Sequence, residues 1–128
     1  MGGPFAFVDG MAHVTGIGGI FFRARDPEAL AGWYQRHLGI GPPGTWAQDA
    51  GPTVFAPFTA DTGYFAADKH WMLNLRVSGL QDLLTALAAA GIPAETRADW
   101  DGDGSYGHFA RIHDPEGTPI ELWEPPAP

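Results

Sequence analysis

The sequence predicts an α+β domain made of two like modules, each a strand, a helix and two or three further strands. Three observations predict it. Two stretches alternate at period two and then change to helical spacing: Gly16 to Arg25 leads into a helix ending near Leu38, and Trp71 to Val77 into one over Leu80 to Ala90. These stretches also match each other, GIFFRARDPEALAGWYQRHLGI against MLNLRVSGLQDLLTALAAAGI. Their offset is about 52 residues, a size that suggests internal duplication. Finally, the chain closes on HFARIHDPEGTPIELWEP, two alternating strands around a turn. One such half cannot cover its own sheet. Two side by side can curl into concave mixed sheets with the helices outside, leaving a shared cleft for a ligand.

Composition bounds the reading. A chain of 128 residues is one domain with room for a real core. The formal net charge of -8 argues against nucleic acid and anionic membranes, which want a positive surface. With no cysteine there is no disulfide framework and no thiolate site. No apolar run approaches the roughly 20 residues that span a bilayer, and no signal-peptide pattern opens the chain. A cytoplasmic protein is the expectation. Residues 1–15 read as an N-terminal extension, with Met11 an alternative start. The domain then spans residues 16–125, with module one over 16–68 and module two over 70–125.

In the first strand, Ile20, Phe22 and Ala24 share one face; Gly19, Phe21, Arg23 and Arg25 share the other. Asp26-Pro27-Glu28 is a helix start, with Asp as N-cap and Pro at the first helical position. Leu30, Trp33, Tyr34 and Leu38 form the buried stripe of that helix, and Gly39 ends it. His37 lies in the last turn, where its charge suits the helix dipole. Short strands are expected at Thr45 to Gln48, beside Trp46, and at Pro52 to Phe58. Residues 59–68, with Tyr64, read as a loop or a short strand. In the second strong strand, Leu73, Leu75 and Val77 oppose Met72, Asn74 and Arg76. Ser78 is the expected cap of the second helix, whose stripe is Leu80, Leu83, Leu84 and Leu87, with Gly91 closing it. Ala94 to Trp100 reads as a further strand.

In the closing pair, Ala110 and Ile112 oppose Phe109, Arg111 and His113; Ile120 and Leu122 oppose Pro119, Glu121 and Trp123. Asp114-Pro115-Glu116-Gly117 is turn chemistry. Glu121 projects from the middle of its strand, away from the core and beside a tryptophan. A carboxylate so placed in a cavity can be a metal ligand or a general base. Asp99, Asp101, Asp103 and Gly104 mimic the first half of a calcium loop, but the position that requires a bidentate Glu falls on Ala110, so the stretch reads as an acidic turn. No Gly-x-Ser-x-Gly elbow, phosphate loop or dinucleotide fingerprint occurs.

The strand, Asp-Pro-Glu and helix in front, with ARIHDPEGTPIELWEP behind, resemble the vicinal oxygen chelate superfamily: glyoxalase I, the bleomycin-resistance proteins and the extradiol dioxygenases. The resemblance covers residues 16–125. It implies paired βαβββ modules, a homodimer, and sites in the concave sheets. Glyoxalase-like members hold a divalent metal (Zn, Ni, Fe or Mn) through ligands on the first and last strands of each module. The last-strand glutamate of module two falls on Glu121. The first-strand positions fall on Gly19 and Met72, which cannot supply such ligands, and the fourth falls between Phe55 and Tyr64. Tight binding normally needs three protein ligands, so no metal cofactor is expected.

Two functions follow. The first is a metal-free, bleomycin-resistance-like binding protein for a small organic molecule, anionic or phenolic in character. Its ligand-binding residues would be Phe21, Arg23, Trp46, Tyr64, Asn74, Arg76, Arg111 and Trp123, with Glu121 as candidate base or residual metal-ligand position. The alternative is a metal-dependent lyase, isomerase or dioxygenase with a non-standard ligand set. Against the first stands a structural reading, in which the arginines pair with Glu121 and nearby acids across a closed dimer interface, and a third is a dimeric scaffold with a filled cavity and no ligand.

Overall fold

The computed structural model describes residues 12–128. Most of the N-terminal extension expected over residues 1–15 therefore lies outside the described residues. Among the described residues three helices and three strands follow one another: α1 (Pro27–Leu38), β1 (Leu73–Arg76), α2 (Leu80–Ala89), α3 (Ala98–Asp101), β2 (His108–His113) and β3 (Pro119–Glu124). The strands form a small mixed sheet in the order β1-β3-β2, with β1 parallel and β2 antiparallel to β3. The architecture is α+β.

α1 forms as its sequence dictates. The Asp26 carboxylate accepts from Ala29 N–H at 3.2 Å, Pro27 opens the first turn, and Gly39 closes the helix in the left-handed region at φ 70°. Leu30, Trp33 and Tyr34 are its buried stripe. α2 buries Leu80 and Leu87. Its start differs from the expectation. Ser78 does not cap it; the N-cap is Gly79, and the Glu124 carboxylate at the end of β3 accepts from the N–H groups of Gly79 and Leu80. A carboxylate from a neighbouring strand thus satisfies orphan helix donors that a local serine would otherwise take.

The sheet has two unlike faces. Ala110, Ile112, Ile120 and Leu122 are fully buried and join Leu75 with the helix residues Leu30, Trp33, Leu80 and Leu87 in the core. The turn between β2 and β3 ties this core to α1. The Asp114 carboxylate accepts from Tyr34 Oη at 2.8 Å and from the N–H groups of Glu116 and Thr118. Burial first, then the Asp114 carboxylate, push the Tyr34 phenol far above its ordinary range, so it stays a donor. The Glu116 carboxylate accepts from Arg25 N–H at 2.6 Å and Asp26 N–H at 3.0 Å, at the entrance to α1.

Several expected strands do not form. Residues 16–25, 45–48 and 52–58 carry no strand, and Phe21 is 94% exposed. Period-two patterning selects a face, but a strand also needs a neighbour to take its N–H and C=O groups. Among the described residues no strand pairs with these segments. The stretch 94–100 is likewise no strand: Glu95 makes one isolated bridge to Arg111, and residues 98–101 turn into α3. Residues 70–125 therefore form a strand, a helix, the short α3 and a closing strand pair, whereas residues 16–68 form α1 alone, and the paired βαβββ arrangement is not seen among the described residues. No helix among the described residues is long and apolar enough to cross a membrane.

Candidate functional site

The face of the sheet opposite the core carries the candidate site. Register places Asn74 of β1 and Arg111 of β2 on either side of Glu121 in β3, and Arg76 and Phe109 on either side of Trp123. Paired positions share a face, so these six side chains form two adjacent rows. The alternation in the sequence predicted this face for Asn74, Arg76, Arg111, Glu121 and Trp123.

Glu121 is the centre of the upper row and is buried, at 6% exposure. One carboxylate oxygen accepts from Asn74 Nδ2 at 2.6 Å; the other accepts a short hydrogen bond from the Tyr64 hydroxyl. Burial first, then the Glu121 carboxylate, drive the Tyr64 phenol far above its ordinary range, while Arg111 opposes the shift. Tyr64 accordingly serves as a proton-bearing donor. The loop over residues 59–68 thus supplies an essential partner of Glu121.

Arg111 is not the ion-pair partner of Glu121, although the two are cross-strand neighbours. Its Nη2 donates to the Tyr64 carbonyl at 3.0 Å and approaches the Met72 sulfur at 3.5 Å. Its guanidinium lies 5.2 Å from the Tyr64 ring centre and 5.0 Å from that of Trp100. Cation–π contacts of this kind hold an arginine where aromatic faces replace water. Its Nε is buried without a hydrogen-bond partner. No ion pair among the described residues engages Glu121. Arg76 is also committed to the chain: its guanidinium donates to the carbonyls of Asp49 and Pro52.

Glu121 borders an open cleft of about 830 Å³ whose walls include Phe55, Phe58, Phe65, Trp71, Phe109 and Trp123. Trp123 stacks on Phe109 with 12° between the rings and donates through Nε1 to the Tyr106 carbonyl at 2.7 Å. A second opening of about 900 Å³ lies beside it and takes in Phe21, Trp46 and Arg76, together with Gly19. The residues expected on one concave surface are thus spread over two adjoining openings that share Val54, Trp71, Met72, Asn74 and Trp123. Arg23 is exposed and borders neither opening. Trp100, which faces Arg111, escaped the sequence reading because its stretch patterned as a strand. Phe109 was legible on the Arg111 face but carried no chemistry of its own to mark it.

The donor set does not suit a divalent metal. Around Glu121 stand a phenol held in its protonated form, a carboxamide and a thioether directed at a guanidinium, and Gly19 borders the other opening. Among the described residues no three His, Cys, Asp or Glu side chains are grouped to hold an ion. The acidic turn is engaged internally. Asp101 accepts from Phe109 N–H and pairs with His108 at 2.9 Å, and His108 holds its carboxyl below the usual range. Asp99 pairs with Arg97, and Asp103 accepts from Ser105 N–H. His37 packs on the Trp33 ring at 5.5 Å, away from any cluster. Comparison with protein-family models, curated proteins and solved structures finds no match to this chain.

Proposed function

We propose that the chain is a vicinal-oxygen-chelate-type protein of paired βαβββ modules that binds a small organic molecule without the usual metal, in the cytoplasm and as a homodimer. One observation carries the functional reading: a buried carboxylate, Glu121, stands at the centre of a sheet face and borders an aromatic cleft. Clefts of roughly 300–1,000 Å³ with apolar walls and a few placed polar groups are the usual form of small-molecule sites. The dimer is supported by the surface. Ile17, Ile20, Phe21, Val54 and Phe55, apolar residues of the strand-patterned segments, are all exposed, and such surface is what an interface covers. The strand-patterned segments without a partner, and the outer edge of β1, are where a second copy would pair.

Glu121→Gln tests the functional reading. A ligand found by screening against wild type binds the variant with reduced affinity, while circular dichroism and the melting temperature stay unchanged. An unfolded variant would show that Glu121 serves the fold and would sink the reading. Elemental analysis after equilibration with Zn, Ni, Mn and Fe(II) completes the test, because a tightly held metal would overturn the metal-free form of the proposal.

A further inference from the structure

We infer that the ligand of the Glu121 cleft is an organic cation with a flat aromatic body, its charge met by the Glu121 carboxylate and its rings by the aromatic walls. This rests on the proposal that the cleft binds a small molecule, and adds the chemical class.

The first argument is charge. A buried ionised carboxylate is costly unless a cation or several hydrogen bonds answer it. Glu121 receives two hydrogen bonds, both from neutral groups, Tyr64 and Asn74. A carboxylate has about four acceptor positions, so both oxygens keep capacity for a further donor. The guanidinium nearest in register, Arg111, is committed to a carbonyl and to two rings. Arg76 is committed to the carbonyls of Asp49 and Pro52. The arginines that would have favoured an anionic or phenolic ligand are thus engaged by the chain itself. The basic residues bordering this cleft are Lys69 and His70, and no ion pair among the described residues joins either to Glu121.

The second argument is the walls. Trp71, Trp123, Phe109 and Phe58 line the opening. Aromatic faces attract cations and stack on flat rings. Within this chain Arg111 already uses that interaction between Tyr64 and Trp100. The net charge of -8 draws cations toward the surface as a whole.

The test uses three tricyclic probes of similar size: 10-methylacridinium (cationic), acridone (neutral) and anthracene-9-carboxylate (anionic), titrated calorimetrically into the full chain. Methylacridinium is expected to bind roughly tenfold more tightly than the other two. Glu121→Gln should remove that preference and leave acridone binding unchanged. Glu28→Gln, an equal charge change at an exposed position in the first turn of α1, should keep the preference. Phe55→Ala, at an exposed wall, should keep the fold and weaken methylacridinium about threefold. Equal binding of the three probes overturns the cation assignment and leaves the cleft reading standing. Loss of the preference in Glu28→Gln, or unchanged binding in Phe55→Ala, also overturns the assignment, since net charge or another surface would then be the cause. Binding of none of the probes overturns both the assignment and the cleft.

Discussion

Residues 12–68 and residues 70–125 carry one sequence pattern and end in different structures. Each has a period-two stretch, a capped amphipathic helix and a closing glycine. In the later region β1, α2, β2 and β3 all form, and β3 lies between the other two strands. In the earlier region α1 forms alone, and Phe21 and Phe55 stand 94% and 86% exposed. A helix satisfies its backbone within itself, so patterning and caps are enough to place it. A strand satisfies its backbone only through a neighbour. The later region contains its own neighbours; the earlier one lacks them within the described chain. The difference therefore lies in the supply of partners within the described chain.

The largest expected effect is in the completed sheet. Ile120→Ala removes a fully buried side chain from β3, the central strand, and should destabilise the chain by about 2–5 kcal/mol, read from urea unfolding. A cost near zero would break the comparison, because the later region would then not hold the core.

An intermediate effect is expected at the seam between the regions. Tyr34→Phe deletes the buried hydrogen bond from α1 to Asp114 and should cost about 1–2 kcal/mol in the same assay. Asp114 keeps its two backbone donors, so the turn survives. If Tyr34→Phe were neutral, α1 would be attached by packing alone.

Phe21→Ser should have the smallest effect on the single chain, within about 0.5 kcal/mol where the protein sediments as a monomer. If the chain dimerises as proposed, the same variant should weaken that association, measured by sedimentation equilibrium. A large loss in the monomer would show that the first strand pattern is already packed within one chain, and the contrast would vanish.

Much of the site was legible because β-strand alternation is strict. Reading HFARIHDPEGTPIELWEP at period two put Glu121, Arg111, Phe109 and Trp123 on one face, and the structure places them there. Asn74 and Arg76 joined the same face by the same rule. What alternation does not carry is the partner of each group. Arg111 and Glu121 invite an ion pair on paper, yet Arg111 goes to Tyr64 and Trp100 while Glu121 goes to Tyr64 and Asn74. Tyr64 sits in a stretch without periodicity, so nothing local announced that its hydroxyl and its carbonyl would serve two different neighbours.

By itself the sequence determined the two main helices with most of their ends, the closing strand pair with its buried and open faces, and the position of Glu121. These features rest on interactions within about four residues or on a fixed two-residue period, both written in the chain. Tertiary structure alone decided which strand-patterned segments become strands, and that Glu124 rather than Ser78 completes the start of α2. It also decided that Glu121 is buried among neutral donors. Each of these outcomes depends on a group supplied from a distant part of the chain, and sequence spacing does not encode such an approach.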